Sequence, residues 1–172
     1  MISGRRIYII GFMGSGKTTA GKRLATALGW QFMDLDKQIE HAEKLLIKDI
    51  FKSRGEDYFR KIEADILLSL QTAEDTVIST GGGTPCFGTN MEFMTGSGLV
   101  IYLRMTPAQL KSRLERSKKE RPLLSKISKS ELLNYIANKL KEREVYYMKA
   151  SLVIDSKELD IRALASLVKC GF

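Results

Sequence analysis

One eight-residue string constrains this chain more than any other. Gly11-Phe12-Met13-Gly14-Ser15-Gly16-Lys17-Thr18 satisfies the phosphate-loop pattern G-x-x-x-x-G-K-[S/T] without a mismatch. Its flanks are of the right kind. Ile7-Tyr8-Ile9-Ile10 is a short apolar, β-rich run that reads as a buried parallel strand, and residues 19–28 read as a helix. A strand that runs through a glycine-rich turn into a helix leaves several N–H groups unpaired and aimed at one spot. The helix dipole adds partial positive charge there, so the spot attracts phosphate. At ordinary glycine usage, two fixed glycines coincide by chance at roughly one position in two hundred. Lys and Ser/Thr at the next two places bring the accidental expectation well below one hit. The string therefore predicts a nucleoside triphosphate site.

The 172 residues are expected to form a single domain spanning 1–172, with a real core, and the 44% apolar and 28% charged content fits a soluble globular chain. No apolar run approaches the ~20 residues needed to span a bilayer, so no membrane partner is expected. Met1-Ile2-Ser3-Gly4-Arg5-Arg6 leads straight into the first strand and resembles no signal peptide, which predicts a cytoplasmic location. Cys86 and Cys170 are far apart and predict no disulfide, and the lone His41 reads as a surface residue in a polar helical stretch. One His and two distant Cys exclude a zinc site of the usual kind.

The net charge of +8 raises the question of nucleic acid, and its distribution answers it. Lys111, Arg113, Arg116, Lys118, Lys119, Arg121, Lys126 and Lys129, against Glu115 and Glu120, place +6 of the charge in one short stretch. No aromatic residue is interleaved there for base stacking, so nucleic acid is not the expected partner. A basic segment far down the chain from a phosphate loop can instead fold over a polyphosphate.

Apolar runs alternate with helical patterns along the chain. Strands are predicted at residues 7–10, 31–36, 76–79, 99–103 and 151–154. Helices are predicted at 39–54, 56–71, 107–117, 130–149 and 160–168. Such alternation predicts an α/β fold of three layers, α/β/α, in which a parallel sheet of five strands with right-handed crossovers carries helices on both faces. Ligands of such sheets bind beyond the carboxyl ends of the strands. The chemically interesting residues follow strands one, two and three, and should converge there.

Within the loop, Lys17 is placed to reach the β- and γ-phosphates and the Thr18 hydroxyl to ligate a magnesium ion. Asp34 and Asp36 alternate at the end of strand two, so their side chains should start on opposite faces, one toward the metal and one toward a second substrate. The plainer alternative is a pair of solubilising acids, with Asp36 capping the next helix. Phe59, Ile62, Ile66 and Leu70 form a core stripe at helical spacing, with Arg60 and Glu63 on a neighbouring face. That pair is either an exposed ion pair or an arginine fork for a carboxylate, steadied by Glu63. Gly81-Gly82-Gly83 after strand three costs more chain entropy than any other tripeptide. It predicts close backbone approach to a ligand or an unusual turn rather than ordinary packing.

These residues together carry a family resemblance. Gly11–Thr18, Phe32-x-Asp34-x-Asp36, Ile50-Phe51-x-x-x-Gly55-Glu56-x-x-Phe59-Arg60-x-x-Glu63, Thr80-Gly81-Gly82-Gly83 and Arg121-Pro122-Leu123-Leu124 resemble, in order and spacing, the shikimate kinases. The resemblance implies a P-loop NTPase fold of the nucleoside monophosphate kinase-like type, with a mobile lid at about 115–128 and substrate-binding helices at about 36–65. It implies ATP-dependent phosphorylation of the 3-hydroxyl of shikimate, with Mg²⁺, on the route to chorismate and the aromatic amino acids. Carried over by position, Gly14, Ser15, Gly16, Lys17, Thr18 and Thr19 hold ATP, and Thr18 ligates Mg²⁺ with Asp34 assisting through water. Asp36, Arg60, Gly81, Gly82 and Gly83 hold shikimate, with Arg60 on its carboxylate, Glu63 steadying that arginine and Arg143 as the second carboxylate-binding arginine. Arg121 is the lid arginine that closes on the phosphates, and Arg116 is a candidate for stacking on adenine. Lys17, Asp36 and Arg121 are the expected catalytic groups. Two positions depart from the family pattern: Lys44 stands where glycine is usual, and Val145 where proline is frequent. Relatives of the phosphate-loop class that act on gluconate or nucleoside monophosphates are the nearest rivals, and Arg60, Glu63 and the triple glycine favour shikimate over both. A monomer is expected, since nothing in the sequence calls for a partner chain.

Overall fold

The computed structural model describes residues 5–117, 124 and 127–171. Strand β1 (Arg6–Ile10) is buried along its whole length and takes the centre of the sheet, as its unbroken apolar run requires. β2 (Gln31–Asp34) and β3 (Thr76–Ser79) lie to one side, and β4 (Leu99–Arg104) and β5 (Leu152–Asp155) to the other. The order is β2-β3-β1-β4-β5 and every pairing is parallel, with Ile7 facing Val77 on one flank and Leu99 on the other. From β1 the chain goes first to one side and later crosses to the opposite side. The switch point, where such sheets bind ligands, therefore falls beside β1.

The two-residue period of the strands divides the core in two. Ile7, Ile9, Val77, Ile101 and Leu103 pack with Ala20 and Leu24 of α1 (Lys17–Leu28) and Leu164 and Val168 of α7 (Ile161–Lys169). Tyr8, Ile10, Ile78, Val100 and Tyr102 face the other way. They are covered by α2 (Leu35–Glu43), α3 (Ile47–Ser69), α4 (Asn90–Ser97), α5 (Pro107–Arg116) and α6 (Leu132–Tyr147). The three-layer α/β/α architecture predicted from alternation is present.

Several boundaries differ for identifiable reasons. β2 stops at Asp34, whose side chain accepts from the Lys37 N–H and so caps α2; the chain is already helical at Leu35. The helix predicted over 39–54 is interrupted because Lys44 ends α2 in the left-handed region at φ 53°. α3 bends at Gly55, at φ 82° and ψ 175°, near the predicted break between helices. The short α4 was not foreseen; it starts four residues after a 3₁₀ turn at Thr84–Cys86. α5 begins on a full capping box formed by Thr106 and Gln109, with Pro107 in its first turn. Cys86 and Cys170 are both free thiols, and His41 is exposed, as expected. Among the described residues no helix is long and apolar enough to cross a membrane.

Candidate active site

The phosphate loop joins β1 to α1 at the switch point. Gly14 and Gly16 sit at φ 85° and 96°, a region that side-chain-bearing residues enter at a cost, and they turn the chain over the N-terminus of α1. Lys17 is buried and curls back, its Nζ donating to the carbonyls of Gly11 (2.8 Å) and Phe12 (3.0 Å). The adjacent Thr18 Oγ1 donates to Asp34 Oδ2 at 2.9 Å and lies 3.5 Å from Ser79 Oγ. The ends of β1, β2 and β3 thus meet at one cleft, which Lys17, Thr18, Thr19, Asp34, Asp36 and Gly82 all line.

Asp34 and Asp36 do not diverge as a strand would make them. The switch from strand to helix after Asp34 replaces a two-residue period with a 3.6-residue one, and both acids border the same cleft. Asp34 is the helix cap, and Asp36 belongs to the first turn of α2. Asp34 stands with Thr18, while Asp36 Oδ1 lies 3.2 Å from where a Cβ on Gly81 would be.

Beyond the glycine turn that borders the cleft, Arg60 and Glu63 form a largely buried pair rather than a surface one. Arg60 Nη1 donates to Glu63 Oε2 at 2.8 Å, with the Glu63 side chain 1% exposed. Thr84 Oγ1 donates to Glu63 Oε1 at 2.6 Å, and Glu56 Oε1 accepts from Arg60 Nη2 at 3.1 Å. The guanidinium lies over the Phe87 ring at 4.0 Å and the Phe59 ring at 5.1 Å. Burial raises the Glu63 carboxyl above its ordinary value, outweighing the opposing pull of Arg60 and Thr84; the Asp36 charge adds to the rise. Burial likewise pushes the Cys86 thiol up to about 11, which keeps it protonated and inert near neutral pH.

The triple glycine has a steric explanation that spacing alone did not supply. None of the three has a positive φ. A Cβ on Gly83 would stand 2.7 Å from Arg60 Nη2, one on Gly82 3.1 Å from the Met13 N, and one on Gly81 3.0 Å from Glu63 Oε1. The glycines therefore make room for Arg60, Glu63 and Asp36 on one side and for the phosphate loop on the other. Arg143 comes to the same place from α6, with its guanidinium 5.4 Å from the Phe12 ring centroid and its Nη1 3.5 Å from the Cβ position of Gly82. That nitrogen is buried and has no hydrogen-bond partner among the described residues.

Arg121, Pro122 and Leu123 lie outside the described residues, while Leu124 of the same motif is partly buried against the core. Arg116 is exposed at the end of α5 and does not line the cleft, whereas Arg113 does; its Nη1 donates to the carbonyls of Ser15 (3.2 Å) and Gly14 (3.4 Å). Arg113 was missed because the whole basic stretch looks alike in sequence. Its place three residues after the buried Leu110 was the available signal, since i and i+3 share a helix face.

A phosphate loop at the switch point of a parallel sheet, sharing its cleft with a glycine turn that two half-buried arginines approach, defines a P-loop kinase that acts on a small molecule. The shikimate kinase family matches residues 13–169, and the chain belongs to that family. It is an ATP-dependent kinase. A shikimate kinase of Parabacteroides distasonis is 44% identical over 155 residues, covering 90% of each chain. The 1.7 Å crystal structure of shikimate kinase from Bacteroides thetaiotaomicron superposes with a TM-score of 0.90 at 37% identity, covering 96% of this chain and 98% of that one. Shikimate kinase from Acinetobacter baumannii in complex with shikimate gives 0.84 at 34% identity, over 97% and 92%.

Proposed function

We propose that this chain transfers the γ-phosphoryl group of ATP to the 3-hydroxyl of shikimate, giving shikimate 3-phosphate and ADP on the route to chorismate. The observation that carries the reading is the half-buried arginine pair behind the glycine turn: Arg60, fixed by Glu63, reaches Gly83, and Arg143 reaches Gly82, which lines the cleft with Lys17 and Thr18. A cyclic acid with vicinal hydroxyls fits that pair through its carboxylate, which leaves a hydroxyl to face the phosphate loop.

The residues present fit Mg²⁺ and ATP. The Thr18 hydroxyl and the Asp34 carboxylate are within hydrogen-bond reach of each other at the mouth of the loop. No group of three or more His, Cys, Asp or Glu is placed to hold a metal among the described residues. Such a site suits a magnesium ion that keeps most of its waters and takes the rest of its shell from phosphate. When bound, Mg·ATP supplies the phosphoryl group and neutralises part of its charge. Lys17, already aimed along the loop, adds positive charge at the transferring group. Arg60 and Arg143 hold the acceptor carboxylate in a bidentate, orienting way. Asp36 accepts a hydrogen bond from the acceptor hydroxyl and directs it. Arg113 holds the nucleotide side of the loop, and Arg121 closes the lid over the phosphates. The same reading has the chain acting as a cytoplasmic monomer with neither nucleic acid nor membrane as partner.

A coupled ADP-release assay offering shikimate, gluconate and nucleoside monophosphates in turn tests it. Stimulation by shikimate alone is expected, and EDTA should abolish it. Turnover of either rival acceptor with none of shikimate would overturn the assignment.

A further inference from the structure

α6 meets the acceptor loop through two side chains one turn apart, and only one of them is a cation. Tyr147, the last residue of α6, is fully buried, and its hydroxyl donates to the carbonyl of Gly82, 65 residues earlier. Arg143, four residues before it on the same face, has its Nη1 3.5 Å from the Cβ position of Gly82. Gly82 is thus held at its carbonyl by one residue and approached at its Cα by the other. The ring of Tyr147 is itself set by Tyr102, with centroids 4.9 Å apart.

A trans peptide points its carbonyl and its following N–H in opposite directions. Fixing the Gly82 carbonyl on Tyr147 therefore turns the Gly83 N–H away from α6, and no hydrogen bond among the described residues uses that N–H. Glycine has no side chain to resist rotation of this peptide, so in Gly81-Gly82-Gly83 an outside group has to hold it. Burial keeps the Tyr147 phenol well above its ordinary value, more strongly than the nearby Arg143 lowers it, so the hydroxyl remains a donor through the working pH range.

We propose that Tyr147 is a positioning residue for the acceptor: its hydroxyl fixes the Gly82–Gly83 peptide so that the glycine turn presents a preset N–H to the acceptor, and it registers Arg143 against that turn. Tyr147 touches neither substrate. It acts through Gly82 and through the helix it shares with Arg143. This inference rests on the reading of the cleft as a shikimate site.

The test compares Tyr147→Phe with Tyr102→Phe and the unaltered protein, measuring kcat, both KM values and the thermal midpoint. Tyr147→Phe keeps the ring stack and removes one hydrogen bond. Tyr102→Phe also removes a buried hydroxyl, but one with no partner among the described residues. For Tyr147→Phe, KM for shikimate should rise about three- to tenfold, the range expected for one lost hydrogen bond, with KM for ATP unchanged. Tyr102→Phe should leave both KM values unchanged. An unchanged shikimate KM in a folded Tyr147→Phe protein overturns the inference, as does an equal rise in both variants or in both KM values. If Tyr147→Phe does not fold, amide exchange at Gly83 in the unaltered protein decides: slow exchange, as for an N–H paired within the fold, overturns it, and fast exchange that slows on adding shikimate supports it. Unaltered protein that turns over no shikimate would instead sink the functional reading itself.

Discussion

Thr84 and Glu63 are joined by a 2.6 Å hydrogen bond to Glu63 Oε1, and this leaves Oε2 to receive Arg60 Nη1 at 2.8 Å. Each carboxylate oxygen has its own donor, so the arginine is fixed by an acid that cannot itself rotate. Replacing Thr84 with valine leaves one buried carboxylate oxygen without its donor, a change that costs about 1–3 kcal/mol. Urea denaturation of Thr84→Val should show that loss as a lower midpoint with an unchanged slope.

The same carboxylate makes a prediction about pH. Burial raises the folded-state pKa of Glu63 above its unfolded value of 4.5. Its contribution to stability is therefore fully present below pH 4.5 and is lost as pH rises through the higher folded value. Glu63→Gln cannot titrate. The stability of the unaltered protein relative to Glu63→Gln should fall as pH rises from 4 toward neutrality, as read by thermal midpoints across that range. A relative stability that instead rises with pH would mean that Arg60 dominates over burial.

Gly83→Ala tests the steric account of the glycine turn. The added Cβ would meet three guanidinium atoms of Arg60 at 2.7–3.0 Å, and it is the arginine that must move. KM for shikimate should rise at least about tenfold, the loss of roughly 1.4 kcal/mol of acceptor binding. KM for ATP should change little, because the loop carbonyls that hold Lys17 are those of Gly11 and Phe12. An alanine variant with unaltered shikimate kinetics would show that Arg60 is not where the acceptor binds.

How much of this was legible beforehand depended on whether the signal was local. The phosphate loop and the strands at 76–79 and 99–103 are written in consecutive residues and are where they were expected, whereas the predicted core stripe of α3 is shifted: Phe59, Glu63 and Leu67 are buried, and Ile62, Ile66 and Leu70 are only partly so. Arg60 and Glu63 were legible as a pair, but their burial was not, since it depends on Thr84 and Phe87 arriving from after β3. The reason for three glycines was invisible for the same cause: the atoms they avoid belong to Arg60, Glu63 and Met13. Asp34 and Asp36 were misplaced because the change from strand to helix between them left no mark in a two-residue spacing.

Lys44 shows a departure from the family pattern acquiring a physical meaning. It stands where glycine is usual, and the structure puts it at φ 53°, ending α2 in the left-handed conformation that glycine adopts freely. The side chain is exposed and does not line the cleft, so its replacement removes a backbone cost without removing a cleft residue. Lys44→Gly should stabilise the protein by about 0.5–1 kcal/mol, seen as a higher urea midpoint with unchanged kcat. Lys44→Val should do the reverse, because a β-branched residue fits that region worse than lysine.

Asp34 and Asp36 make the last pair of predictions, because the geometry gives two neighbouring acids different work. Asp34 accepts from Thr18 Oγ1 at 2.9 Å and caps α2 through Lys37; asparagine caps helices about as well as aspartate, so Asp34→Asn should fold normally. What it loses is the negative charge beside Thr18. The Mg²⁺ concentration giving half-maximal rate should therefore rise about tenfold or more, with KM for shikimate unchanged. Asp36 borders the cleft next to Gly81, where the proposed function puts the acceptor. Asp36→Asn should lose at least about tenfold in turnover, ~1.4 kcal/mol or more of barrier, with the Mg²⁺ midpoint unmoved. A Mg²⁺ titration of both variants at saturating shikimate reads the two effects side by side. If Asp36→Asn moved the metal midpoint and Asp34→Asn left it in place, the assignment of the two acids would be reversed.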